Sequence, residues 1–155
     1  MNNREKGLGP QAKLRPATWD DFEFLYNVLR TTMREHVERI WHWNDQWQRE
    51  YFQINFNPDE NQIIVLDGKD IGVFGTRRQD DEIYLARIYI LPDYQNQGIG
   101  TLLLKSLLGQ AALEGRAVAL RVLKGNPARR LYERLGFETT QETQTHYYMK
   151  VEPGH

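Results

Sequence analysis

The chain has 155 residues, a length that suits one domain. Hydrophobic residues make up 40% and charged residues 26%, the balance of a globular protein, and 20 basic against 21 acidic residues leave a net charge of −1. That balance gives no broad electrostatic attraction to nucleic acid or to anionic lipid and leaves only a local basic patch open. The absence of cysteine excludes disulfides, thiolate zinc sites and cysteine nucleophiles.

Residues 1–12 open with MNNREKGLGPQ, polar and broken by Gly7, Gly9 and Pro10. They read as a flexible arm. They lack the apolar core of a signal peptide, and no later run approaches the roughly 20 apolar residues of a membrane helix. The protein is therefore expected in the cytoplasm, with residues 13–155 as one domain. Lys13 to Pro16 reads as a first strand. A helix follows, with Thr18 or Asp20 as its cap and Phe22, Leu25, Leu29 and Met33 on one face. WHWNDQW interrupts it, and a second helix is expected from Gln46 to Asn55.

The period then changes. NQIIVLDGKDIGVFGTRR holds two strands around Asp67-Gly68, a hairpin turn signal. DEIYLARIYI is another strand, alternating at first and then continuously apolar, as if its end were buried on both faces. Gly98 to Glu114 is a leucine-rich helix, Ala117 to Leu123 a strand, and Pro127 to Leu135 a short helix closed by Gly136. Glu138 to Thr143 and His146 to Val151 pair as the last strands. The order β-α-α-β-β-β-α-β-α-β-β predicts an α/β fold with a mixed sheet covered by helices in three layers.

The informative stretch is ILPDYQNQGIG, Ile90 to Gly100. A strand ends at a proline, and a loop without bulk opens directly into an apolar helix. A helix start presents backbone N–H groups without intrahelical partners and the positive end of the helix dipole, so it suits a phosphate. Gly98 and Gly100 let such a group approach without meeting a Cβ. A turn that serves only tight packing is the plainer reading of the glycines alone. The pattern is neither the G-x-x-x-x-G-K-[ST] of a P-loop nor the G-x-G-x-x-G of a dinucleotide fold.

Gln95-Asn96-Gln97-Gly98-Ile99-Gly100, a Q-x-x-G-x-G run, resembles the acetyl-CoA motif of the GCN5-related N-acetyltransferase (GNAT) superfamily. NPARRLYERLGFE, Asn126 to Glu138, resembles that family's following motif. The resemblance extends from Lys13 to Val151. It implies a mostly antiparallel central sheet with a splayed strand pair and helices on both faces. It also implies acetyl-CoA as co-substrate, with its pantetheine arm against Ile88, Tyr89 and Ile90. The pyrophosphate would rest on the backbone of Gln95, Asn96, Gln97, Gly98, Ile99, Gly100 and Thr101, and Asn126 would also lie at the cofactor. Tyr132 is implied as the general acid that protonates the departing thiolate. Arg129 and Arg130 read as a solvated helix face.

No general base is evident. Where relatives carry a glutamate, Tyr84 stands on the fourth strand, with Glu82 on the same face, and Arg121 stands on the fifth. Glu35, His36, Glu38 and Asp45 lie in the region that lines acceptor sites in relatives, but read as helix charges. Trp41, Trp43 and Trp47 either plug the junction between helices and sheet or line an acceptor pocket. His42 and His146 are isolated, so no metal site is expected. The implied function is transfer of an acetyl group to a primary amine by direct attack in a ternary complex. A non-catalytic acyl-CoA-binding module is the alternative. The acceptor stays open between a small amine and a peptide, and so does a homodimer.

Overall fold

The computed structural model describes residues 12–154. The expected arm therefore falls outside the described residues, except that Ala12 already belongs to the first strand. The elements are β1 (Ala12–Pro16), α1 (Phe22–Glu38), α2 (Asp45–Asn55), β2 (Asn61–Leu66), β3 (Lys69–Arg78), β4 (Glu82–Ile90), α3 (Ile99–Leu113), β5 (Ala117–Leu123), α4 (Ala128–Arg134), β6 (Glu138–Glu142) and β7 (His146–Val151). Their order is the expected one, and the ends differ by single residues.

Local chemistry explains several of these limits. A 3₁₀ turn at Trp19–Asp21 leads into α1, and the Thr18 N–H donates to the Asp21 carboxylate at 2.8 Å. The same carboxylate accepts from Arg15 on β1 at 2.9 Å, and Arg15 also reaches Asp70 on β3 at 2.9 Å. Asp21 is held below the usual carboxylate range, chiefly by Arg15. In the β2–β3 turn, Asp67 and Gly68 have φ of 51° and 79°, the left-handed pair of a type I′ hairpin.

The seven strands form one sheet in the order β1-β2-β3-β4-β5-β7-β6, antiparallel except for the parallel pair β4–β5. That pair has only three rungs, Glu82–Ala117, Ile83–Val118 and Tyr84–Ala119. Beyond them the strands part, while β4 stays on β3 as far as Ile90 and β5 stays on β7 as far as Leu123. The splayed pair is thus present. One face of the sheet carries α3 and α4 over a core that includes Ile83, Leu85, Leu104 and Val118. The other carries α1 and α2 over a core that includes Leu25, Phe52, Ile63 and Val73.

A bulge decides which side chains of β4 meet which core. In the β3–β4 register Gly75 faces Arg87 while Thr76 faces Leu85, so Ala86 is an extra residue. Side chains alternate along a strand, and one extra residue reverses the alternation. Ile83 and Leu85 therefore share a face with Ile88 and Ile90, toward α3, and Tyr89 packs toward α1. The apolar end of this strand comes from that switch.

The glycines give a paired stability test. A Cβ on Gly72 would stand 2.3 Å from the Tyr89 carbonyl oxygen, a backbone atom that can move only with β4. Gly109, exposed within α3, has nothing within 4 Å of its Cβ position. Gly72→Ala is expected to destabilise by about 1–3 kcal/mol, the cost of overpacking. Gly109→Ala is expected to stabilise by about 0.5–1 kcal/mol through helix propensity. Thermal denaturation should move the two variants in opposite directions by roughly 2–4 °C per kcal/mol. Equal shifts would contradict the close approach at Gly72.

Candidate active site

The parting of β4 and β5 exposes a strand edge. The Leu91 N–H donates to the Ile71 carbonyl on β3 at 2.9 Å. Backbone groups alternate between the two sides of an antiparallel strand, so those of Ile88 and Ile90 point away from β3 into the gap. The Gln95 side chain reaches into this gap and donates from Nε2 to the Ile90 carbonyl at 2.7 Å.

The loop that follows turns through a 3₁₀ segment at Pro92–Tyr94 and then through two left-handed residues, Asn96 with φ 63° and Gly98 with φ 84°. Gly98 is the N-cap of α3 and has no side chain to cap with. Leu102 makes the first helical bond, to the Gly98 carbonyl at 3.0 Å. The N–H groups of Ile99, Gly100 and Thr101 are thus without intrahelical partners. No acidic residue stands in the first turn to occupy that positive end. A Cβ on Gly100 would lie 3.7 Å from Ile90 Cδ1, so this turn packs directly on the end of β4.

The opposite wall comes from the β5–α4 junction. The Asn126 side chain accepts from the Ala128 N–H at 2.9 Å and so starts α4. On α4 the Tyr132 ring is 8% exposed and meets Phe137 edge-on at 5.7 Å. The third wall is α1, through Thr32, Met33 and His36. Together they enclose a cleft of about 600 Å³. All the residues expected at the site line it except Gln97, whose amide turns back to the Asp93 carbonyl at 3.3 Å. Thr32, Met33, Tyr94, Leu131 and Arg134 also line it. They had no signal in the sequence, because helical or loop residues reach the cleft only through the packing of their elements.

A family model described as the acetyltransferase (GNAT) family matches residues 22–137. The chain belongs to this family. It is 41% identical over 141 residues to the [ribosomal protein bS18]-alanine N-acetyltransferase of Haemophilus influenzae, covering 86% of each. The crystal structure of the ribosomal-protein-S18-alanine N-acetyltransferase from Escherichia coli superposes with a TM-score of 0.68 at 23% identity, covering 92% of this chain and 94% of that one. The PaiA N-acetyltransferase from Thermoplasma acidophilum, solved in complex with coenzyme A, gives 0.74 at 17% identity, covering 92% and 99%. This GNAT protein is an N-acetyltransferase that uses acetyl-CoA, and the reading as a non-catalytic module is set aside. None of its helices among the described residues is long and apolar enough to cross a membrane.

The electrostatics of the acetyltransferase cleft are unusual for what they lack. No carboxylate lines it. Glu35 and Glu38 pair along α1 with Arg39 and Arg34, at 3.6 and 3.3 Å. Asp45 accepts from the Tyr26 hydroxyl at 2.8 Å and from Trp43 Nε1 at 3.3 Å, and these bonds hold it below the usual carboxylate range. Trp43 is 3% exposed and serves as the plug between α1, α2 and the sheet, whereas Trp41 and Trp47 are exposed. Arg129 lies over the Tyr147 ring at 3.7 Å and beside Glu133 at 3.4 Å, a packing role on α4. Among the described residues no group of three His, Asp or Glu side chains is placed to hold a metal ion.

Burial pushes the Tyr132 phenol well above its ordinary range, and the neighbouring Tyr89 phenol adds to this. His36 is pushed the other way, by burial and then by Arg39, with Glu35 opposing. Arg39 Nη1 lies 3.2 Å from His36 Nδ1 and also donates to the Gly125 carbonyl at 3.1 Å, which clamps α1 to the β5–α4 loop. A guanidinium only donates, so Nδ1 accepts and the proton of neutral His36 sits on Nε2. His36 can therefore donate from its remaining nitrogen but cannot act there as a base.

A pH dependence of stability follows. The folded-state pKa of His36 is lowered, so the unfolded chain takes up its proton first as pH falls. The stabilisation is complete above the ordinary histidine pKa near 6.5 and is lost as pH falls through the lower folded value. His146, also lowered by burial and by Arg121, acts in the same direction. Melting temperature should fall between pH 7.5 and pH 5, and His36→Gln should reduce that slope. Identical slopes in the two proteins would count against the clamped neutral histidine.

Proposed function

We propose that the cleft between β4 and β5 is where acetyl-CoA meets the α-amine of a peptide, in a direct transfer within a ternary complex in the cytoplasm. The observation that carries this is the free edge of Ile88 and Ile90 leading straight to the uncapped start of α3. An extended, amide-bearing arm pairs with a strand edge as a missing strand would. A pyrophosphate then falls at the N–H groups of Ile99, Gly100 and Thr101, where helix dipole and unpaired donors coincide. The two left-handed residues Asn96 and Gly98 turn further backbone toward the same place. Asn126 spends its carbonyl oxygen on α4, which leaves its amide N–H groups for the arm.

In the reaction the amine attacks the thioester carbonyl. The backbone N–H of Ile90, aimed into the gap, supports the oxyanion. As the new C–N bond forms and the C–S bond breaks, Tyr132 gives its proton to the departing sulfur, the amine releases its own proton to water, and Tyr132 is reprotonated from water. Burial suits it to this part, because a phenol with a raised pKa remains protonated throughout the neutral range. The relatives' names give an alanine of a ribosomal protein, and the only amine of an alanine is its α-amine. The lack of a carboxylate in the cleft favours the same choice, since an α-amine needs less help to lose its proton than a lysine does.

Tyr132→Phe tests the acid. The ring volume is kept, so the variant should fold. The rate should fall about 10²–10⁴-fold, equivalent to roughly 3–5 kcal/mol of barrier. Acetyl-CoA affinity by calorimetry should stay within a few-fold. Loss of affinity without loss of kcat would make Tyr132 a binding contact instead. The wild-type profile should also show no alkaline loss attributable to this phenol below pH ~10.

Gly98 and Gly100 separate conformation from access. A side chain at Gly98 meets no atom but strains φ, whereas one at Gly100 needs no unusual φ and stands against Ile90 and Ile88, which line the cleft with it. Gly100→Val is expected to weaken coenzyme A binding about tenfold or more, an estimate from the loss of backbone–phosphate contacts. It should cost little melting temperature. Unchanged affinity in folded Gly100→Val would remove the phosphates from this loop.

A further inference from the structure

The helices α1 and α2 cover only half of their face of the sheet. The core beneath them draws on β2, β3 and β4 and on no residue of β5, β6 or β7. Val118, Leu120, Met149 and Val151 point to the opposite core, so by alternation Arg121 and Tyr148 point to the uncovered half. The two residues are directly paired across β5 and β7. Tyr84 joins them from β4, since its neighbours Ile83 and Leu85 belong to the opposite core. The last β4–β5 rung is Tyr84–Ala119, so Arg121 is the first residue of this face beyond the fork. On the helix side Tyr51 of α2, stacked on Trp47 at 5.2 Å, is 55% exposed and near enough to act on the Arg121 charge. These side chains lie together on the half of this sheet face that α1 and α2 leave uncovered, and they reach the fork.

Arg121 is the distinctive member. Burial works against its charge, and the phenols of Tyr148, Tyr84 and Tyr51 outweigh that, so its pKa is raised. No carboxylate among the described residues pairs with it, whereas each neighbouring cation has a partner of its own: Arg87 donates to the Asn61 amide oxygen at 2.7 Å. Lys150 stands 3.5 Å from Glu82, and Arg77 stands 3.4 Å from Glu60. A guanidinium ringed by phenols presents its donor fork to one kind of group, a planar anion. The same charge repels a basic substrate.

Resting on the transfer reaction proposed above, we infer that this uncovered half receives the acceptor peptide and that Arg121 selects one with a carboxylate close behind its α-amine, an Asp or Glu within the first residues. The open floor across β5 and β7 suits a peptide continuing past the fork rather than a small enclosed amine. Arg121 is a specificity residue here and takes no part in the bond changes.

The test uses two synthetic peptides that differ only in Glu or Gln at the second and third positions, with free aspartate and glutamate as small-molecule arms. The wild-type protein should favour the Glu peptide in kcat/KM by about tenfold, mostly through KM. Arg121→Gln should bring the pair within about twofold, Arg121→Glu should reverse the order, and acetyl-CoA affinity should be unchanged in both. Calorimetric binding of the two peptides to the coenzyme A complex reads the same preference without turnover. Failure of the transfer reaction would therefore appear separately, as binding without product. Equal treatment of the peptides by the wild type, or a preference that survives in Arg121→Gln, would overturn the inference. So would a pH-profile shift in Arg121→Gln that is the same for both peptides with the preference intact. Better use of the free amino acids would overturn the peptide source.

Discussion

The loss of pairing between β4 and β5 after three rungs is the constraint from which the rest of the site follows. An interior parallel strand normally has both edges bonded, and unpaired buried backbone costs on the order of 1–3 kcal/mol for each group. Here the edge of Ile88 and Ile90 opens into a cleft of about 600 Å³, so water can serve it. The bulge at Ala86 belongs to the same device. It keeps Ile88 and Ile90 packed under α3, which brings the first turn of that helix onto the end of the strand. Strand edge and helix start thus become one continuous surface of backbone donors.

The walls must stay apart for this surface to remain open, and distinct contacts hold them. Arg39 ties α1 to Gly125, and Asn126 fixes the start of α4. The buried Trp43 fills the junction of α1 and α2 and is anchored through Asp45 to Tyr26. Asn44, next to it, caps α2 by accepting from the Trp47 N–H at 2.8 Å. Polar residues that looked like acceptor-site chemistry are thus used to brace the frame.

Sequence reading reached the elements, their order and the loop because these depend on local rules: glycine at a helix start, Asp-Gly in a hairpin, proline at a strand end. It missed what depends on one residue of register. Apolar positions 83 and 85 followed by 88 and 90 contain the parity switch, but Ala86 and Arg87 carry no mark of a bulge, and the run reads as a strand buried on both faces. The three tryptophans were inseparable for a similar reason. Trp43 is buried and Trp41 and Trp47 are exposed because of how α2 leaves its cap, which composition does not encode. His36 stood among equals on α1 until the contact with Arg39 distinguished it from Glu35 and Glu38.

That contact also bears on which amine the cleft suits. Nδ1 of His36 is occupied by Arg39, and no carboxylate lines the cleft, so on the proposed reaction no strong base stands in that lining. The acceptor must then arrive already neutral, or release its proton to water. An α-amine has a pKa near 8 and a lysine amine one near 10.4, so at neutral pH the neutral fraction of the former is greater by roughly 250-fold. Arg121 at the fork would help either amine lose its proton, because a nearby cation lowers the pKa of any amine held beside it. The same cation would expel a substrate carrying only positive charge. A carboxylate next to the α-amine satisfies both demands: it pairs with the guanidinium and leaves the amine free to lose its proton. The missing base and the unmatched arginine are therefore two sides of one arrangement, in which the chemistry of the acceptor replaces a side chain that the cleft does not contain.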